Sequence, residues 1–215
     1  MTVKRMLYWK PRQESAIYSH TLNEISECVK TLNGVKEGTC RTNLTYYSPN
    51  LRDESKRAEF PRHTFGLYPL GQPNKYYSVI LEHNIVLEAD PSIFVIMNKL
   101  QSYNSTVILH FEGVQYKAGD FQMKLIKVLG RDTNLRGILV EIEYMPISSI
   151  EIAKQIMEEF IGIWRGVVST KALPGEFIGK EPNFVEYGLS DSYTWQHTAV
   201  QYVDALLELI HSWGL

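Results

Sequence analysis

The chain has 215 residues, of which 44% are hydrophobic and 21% charged, with a formal net charge of -2. This is the composition of a folded soluble protein with enough chain to bury a core, and it excludes intrinsic disorder. A charge so near zero also excludes a general attraction to nucleic acid or anionic membrane, and no apolar run approaches the ~20 residues needed to cross a bilayer.

In chain order, "TVKRMLYW" alternates and is rich in strand formers, so it reads as a first strand. Lys4, Arg5, Lys10 and Arg12 form a local basic patch there. No apolar segment follows, so the opening is not a secretory signal. "SHTLNEISECVKTLNG" places Leu22, Ile25, Val29 and Leu32 at helical spacing, with Ser19 as N-cap and Gly34 as the left-handed C′ residue. "EGTCRTNLTYYS" reads as a second strand. Cys28 and Cys40 belong to no C-x-x-C and read as reduced thiols in an intracellular protein.

Residues 48–63 carry two prolines and mixed charges without apolar periodicity, the pattern of a mobile loop within one domain spanning 1–215. "TFGLYPL", "KYYSVIL" and "IVLEA" follow as neighbouring antiparallel strands, the first two joined by the turn "GQPN". Asp90-Pro91 starts a helix that Ile93, Met97 and Leu100 continue to about Tyr103. Three extended stretches come next, "TVILHFEG", "DFQMKLIKVLG" and "GILVEIEYM", the last two a hairpin turning at "RDTN". Pro146 ends the sheet. Ser148 or Ser149 with Glu151 opens a helix whose expected apolar stripe is Ile152, Ile156, Phe160 and Ile163. After the breaker-rich "KALPGEFIGKEPNF" comes a closing helix built on Ala199, Tyr202, Val203, Leu206 and Ile210. Strands outnumber helices and look hairpin-connected. The expected fold class is therefore α+β, with an antiparallel, mostly closed β-barrel-like sheet and flanking helices.

Complete catalytic sets are missing. "GEFIGKE" has one residue too few between its glycines for a phosphate-binding loop, and Glu181 where a Ser or Thr is needed. His110 and Glu112 share a strand face but lack the further ligand a zinc site requires. No G-x-S-x-G elbow or G-x-G-x-x-G after a strand is present. Glu141 and Glu143 point the same way on one strand, about 7 Å apart. Such pairs inside a tunnel can bind divalent metal for triphosphate hydrolysis, but a second pair is lacking. If Leu129 pairs with Ile138, Lys124 faces Glu143, and a cross-strand ion pair on a solvated face explains the pattern without chemistry. No cofactor or metal is expected.

"YKAGDFQMKLIKVLG" followed by "RGILVEIEYMP" resembles the Mediator complex subunit 20 family, the TATA-binding-protein-related factors. Gly119, Asp120, Phe121, Arg136, Gly137, Val140, Glu141, Glu143, Tyr144 and Pro146 sit where the family pattern expects them. "SVILEHNIVLEADPSIFVIMNKL" and "EYGLSDSYTWQHTAVQYVDALLELI" are similar to its other segments, so the resemblance runs from about residue 36 to the end, apart from residues 48–63. It implies a non-enzymatic interaction subunit of the Mediator head module, a coactivator of RNA polymerase II transcription in the nucleus. It implies a heterodimer with subunit 18, a C-terminal segment of subunit 8 in the same subcomplex, and TATA-binding protein and RNA polymerase II as further candidate contacts. The alternative is a metal-dependent tunnel-type triphosphatase using Glu141 and Glu143; a nucleic-acid module using the basic N-terminus is a third reading. Tyrosine is enriched at interfaces. Tyr46, Tyr47, Tyr76, Tyr77, Lys124, Glu141, Glu143 and Tyr202 are therefore the candidate partner surface. Each tyrosine doublet is expected to leave one ring near the surface.

Overall fold

A computed structural model describes residues 2–12, 19–50, 61, 63–145 and 149–212. Among the described residues nine strands form one antiparallel sheet: β1 (Val3–Pro11), β2 (Val35–Pro49), β3 (Thr64–Pro69), β4 (Tyr76–Ile80), β5 (Ile85–Ala89), β6 (Tyr103–Ala118), β7 (Phe121–Leu129), β8 (Leu135–Tyr144) and β9 (Gly175–Ile178). Their spatial order is β5-β4-β3-β2-β6-β7-β8-β1-β9. The α-helices among the described residues are α1 (Ser19–Thr31), α2 (Ile93–Leu100), α3 (Ile150–Ser169) and α4 (Trp195–Ser212).

The fold class holds as α+β, but the expected barrel does not close. Among the described residues no ladder joins β5 to β9. The reason lies in the interior, which α4 fills. Its Ala199, Val200, Tyr202, Val203, Leu206 and Leu209 share one core with Met6 and Tyr8 of β1, Phe111 of β6, Leu139 of β8 and Val79 and Val86 at the far end of the sheet. The sheet thus curls around a helix instead of meeting itself. Each buried Leu, Val or Phe contributes roughly 1.5–3 kcal/mol relative to exposure, enough to favour the filled interior. Both open edges are partly blocked: Arg165 Nε donates to Phe177 O on β9 at 3.1 Å, and Gln196 Nε2 to Val86 O on β5 at 3.4 Å.

A second core lies on the opposite face, where α1 and α3 cover β1, β7, β8 and β9. Trp9, Trp164 and Phe177 meet there, with ring centroids 5.2 Å and 5.7 Å from Phe177. The buried stripe of α3 is Ala153, Met157, Ile161, Trp164 and Val168. This lies one position off the expected stripe, because isoleucines are spaced helically on two faces and Trp164 anchors the other one. Ile152 and Ile163 remain exposed, while Ile156 and Phe160 are half-buried. Ser149 is the N-cap residue of α3, and its Oγ donates to Glu151 at 2.7 Å.

Other local expectations change for steric reasons. Asn33, not Gly34, takes the left-handed conformation after α1, with φ 57°. Gly34 is needed because a Cβ there would lie 2.7 Å from Val29 O. Helix α2 stops at Leu100 because Gln101 turns left-handed at φ 50°, so Tyr103 belongs to β6. Gly137 lies beyond the turn. It sits within β8, where a Cβ would come 2.9 Å from Leu209 Cδ1, so it lets α4 approach the sheet. Most of the expected loop at 48–63 lies outside the described residues, as do Pro146 and Ser148, while Ser48 and Pro49 continue β2. Both cysteines are free, Cys28 buried and Cys40 half-buried.

Candidate functional site

Period-two reading puts Leu139, Glu141 and Glu143 on one face and Ile138, Val140, Ile142 and Tyr144 on the other. The structure keeps that division: Ile138, Val140 and Ile142 enter the core beneath α1 and α3, and Leu139 the core around α4. The glutamates, however, do not lie on a solvated face. Tyr202 of helix α4 covers Glu141, which is 1% exposed, and Lys4 of β1 meets Glu143.

The hairpin register also differs from expectation. Leu129 pairs with Leu135, and a shift at Val128 then sets Lys124 opposite Glu141 instead of Glu143. On the other side of β8, Lys4 of β1 pairs with Glu143 and Met6 with Glu141. An even slip leaves every side chain on its own face and changes only its partner. Lys124 Nζ lies 2.7 Å and Lys4 Nζ 3.4 Å from Glu141 Oε1, and Lys4 Nζ lies 3.0 Å from Glu143 Oε2. The hydroxyl of Tyr202 donates to Glu141 Oε2 at 3.3 Å. Gln201 Nε2 donates to Lys4 O at 3.0 Å, and Gln201 Oε1 accepts from the Tyr193 hydroxyl at 2.6 Å. Both ammonium groups face the Trp195 ring, at 5.3 Å and 5.9 Å.

Two lysines and two glutamates thus make a neutral cluster between the sheet and α4. Burial raises the pKa of Glu141, but Lys4 and Lys124 outweigh it and hold the carboxyl down at about 2. Burial lowers Lys124, and Glu141 more than reverses that, so its pKa is raised. Burial and the neighbouring Glu141 charge push the Tyr202 phenol well above its usual range. Both Glu141 oxygens are already engaged. Among the described residues no group of three or more His, Cys, Asp or Glu could hold a metal ion. His110 Nδ1 meets Asn43 Oδ1 at 2.9 Å, and Glu112 lies 3.6 Å from Arg41.

Of the eight candidate surface residues, Lys124, Glu141, Glu143 and Tyr202 come together, but in the interior. The tyrosine doublets serve packing. Tyr47 and Tyr76 are buried and hydrogen-bonded on the outer face. Tyr77 is buried on the inner face, stacked on Trp195 at 6.2 Å. Tyr46 alone is half-buried, its hydroxyl 3.1 Å from His63 Nδ1. Lys4 and Trp195 were not among the expected site residues. The alternation of Lys4 with Met6 and Tyr8 was a signal that Lys4 points inward. The basic N-terminal patch is divided accordingly: Lys4 enters the cluster, and Arg5 pairs with Glu158 and Glu181, each at 2.9 Å.

The entry of α4 is fixed by His197, which is buried. Its Nδ1 accepts the Thr194 backbone N–H at 3.0 Å and its Nε2 donates to Ser190 O at 2.9 Å, which defines the neutral ring. Burial lowers its pKa, only partly offset by the Ser190 bond. With the folded pKa below the ordinary 6.5, the unfolded chain binds the proton first. Stability should therefore be full above pH 6.5 and fall as pH drops through the folded pKa. Urea melts of His197→Gln should show a shallower loss than the parent over that range; equal slopes would remove the role given to His197.

This architecture defines a class: an α+β protein whose inward charges join a curved open sheet to its own C-terminal helix. A family model described as the TATA-binding related factor (TRF) of subunit 20 of Mediator complex matches residues 1–207. The chain is 46% identical over 211 residues to Mediator of RNA polymerase II transcription subunit 20b of Arabidopsis thaliana, covering 98% of this chain and 96% of that one. The chain belongs to the Mediator subunit 20 family. Among solved structures, one from the Schizosaccharomyces pombe Mediator head module has a TM-score of 0.42 at 12% identity, covering 79% of this chain and 96% of that one. An S. pombe RNA triphosphatase in complex with the Spt5 CTD has a TM-score of 0.35 at 9% identity, covering 79% and 73%. Both likenesses are too distant to bear on function.

Proposed function

We propose that the chain is a non-enzymatic interaction subunit of the Mediator head module, acting in the nucleus in RNA polymerase II transcription. It pairs with subunit 18 and is held in the same subcomplex by a C-terminal segment of subunit 8. TATA-binding protein and RNA polymerase II are further contacts consistent with this reading. Family membership supports the setting. The observation that carries the non-enzymatic part is the closure of the one tempting constellation. Glu141 has its charge met by two lysines, its second oxygen held by Tyr202, and α4 where a triphosphate would have to lie. A scaffold needs shape and surface, not an open acid pair.

Co-expression with subunit 18 and light scattering on a sizing column test this directly. A one-to-one complex that persists at submicromolar concentration is the expected result. A monomer that ignores the partner would remove the pairing. Manganese-dependent phosphate release from a triphosphate, lost in Glu141→Ala, would instead favour the tunnel-type hydrolase.

A further inference from the structure

Asn33 is followed by Gly34, whereas every other asparagine in the chain precedes a residue with a side chain. The Asn-Gly pair is chemically reactive, because no Cβ crowds the backbone nitrogen that follows the asparagine. That nitrogen can attack the asparagine Cγ. A bond from Gly34 N to Cγ forms as the bond from Cγ to Nδ2 breaks. Ammonia leaves, taking up the proton that the backbone nitrogen gives up, and a five-membered succinimide remains. Water then opens the ring. Addition at Cγ gives aspartate, and addition at the backbone carbonyl gives isoaspartate.

The fold places this pair at the C-terminus of α1, in a cap that withholds what the reaction needs. Gly34 N–H donates to Val29 O at 3.0 Å and Asn33 N–H to Lys30 O at 2.9 Å. These are the paired bonds of a Schellman motif, with Asn33 at its left-handed position. The proton that must leave Gly34 N is therefore engaged. Asn33 has φ 57°, and the ψ of about +47° that goes with that region sets Gly34 N nearly opposite the Asn33 Cβ. Ring closure needs it alongside. Val29, on which Gly34 rests, is buried in the core beneath α1. Asn33 itself is exposed, and helix ends are where local opening costs least.

We propose that Asn33 is a site of spontaneous deamidation and isoaspartate formation, gated by opening of the last turn of α1. The closed cap does not react and the open one does, so product accumulates in proportion to the fraction of time the turn is open. Neither product restores the cap as it was. Isoaspartate carries an extra methylene in the main chain, which moves Gly34 away from Val29 O and displaces Val35, where β2 begins. Aspartate keeps the backbone but sets a negative charge at the negative end of the helix dipole. Both changes loosen the join between α1 and β2.

The test incubates the full chain in neutral buffer, with and without denaturing urea, and follows Asn33 by peptide mapping and isoaspartate-specific methylation. Asn33 should react at least about tenfold more slowly in the folded chain than in urea. Lys30→Gly changes an exposed position in the last turn and leaves the reacting pair intact. It should raise the folded-state rate about threefold, the effect of helix propensity on that turn, and leave the urea rate unchanged. Ile126→Val lowers global stability from the core around α4, and should leave the folded-state rate as it is. Equal rates with and without urea would overturn the gate, as would a parent-like folded rate in Lys30→Gly. A folded rate that rises in Ile126→Val would place the gate in unfolding of the whole chain instead. An unreactive Asn33 in urea would remove the site itself.

Discussion

Glu141→Leu should lower the stability of the chain by about 3–5 kcal/mol, the cost of removing one partner from a buried ion pair. The loss is large because Lys4 and Lys124 are both nearly buried and would be left facing each other across a hydrophobic side chain. For a chain of this length the melting temperature should fall by about 6–20 °C. Replacing Lys124 with Met in the same background should recover part of that loss, since one uncompensated charge is then gone. Urea melts of the two single variants and the double variant measure the coupling. Losses that simply add would show that the pair does not act as a unit.

The same carboxyl predicts an acid limb. Its folded pKa of about 2 lies below the ordinary 4.5, so the unfolded chain takes up the proton first as pH falls. Stability from this group is therefore present above pH 4.5 and is lost progressively down to the folded pKa. The shift corresponds to about 3 kcal/mol. Glu141→Gln keeps the shape and some hydrogen bonds but cannot titrate, so its melts should change less between pH 5 and pH 3 than the parent's. A parallel pH profile would contradict the assignment of that limb to Glu141.

The second large effect is expected at Gly66→Ala, a one-carbon change in β3. A Cβ there would be 2.5 Å from the Tyr76 ring and 2.9 Å from that of Tyr47, and would overlap the Tyr76 hydroxyl oxygen. Both rings are buried, with Phe94 of α2 against Tyr76 on its other side, so neither can swing away cheaply. Overpacking ordinarily costs 1–3 kcal/mol, and ring displacement in a closed site should put this case at about 3 kcal/mol or more. If the clash is the cause, Tyr76→Leu should lessen the penalty when combined with Gly66→Ala. A Gly66→Ala melt within a degree of the parent would mean that the outer face beneath α2 is looser than it looks.

The sequence by itself determined the type and order of most elements, because each follows from local rules. Strand alternation placed β1, β3, β4, β7 and β8, and helical spacing placed α1 and α4. Alternation also divided β8 correctly, since side-chain direction depends only on parity. The same rule could not say what lay beyond each face. Glu141 and Glu143 read as solvated because two carboxylates in a row usually are. Only the tertiary structure brought Tyr202 of α4, 61 residues further on, against Glu141, and only the β1–β8 pairing supplied Lys4. Openness of the sheet was likewise out of reach, since it depends on a helix filling the space that closure would need. Two apolar stripes on α3 were equally legible, and packing of Trp164 against Phe177 chose between them. Local periodicity fixes direction and spacing; which charge is buried, and by what, depends on contacts between segments far apart in the chain.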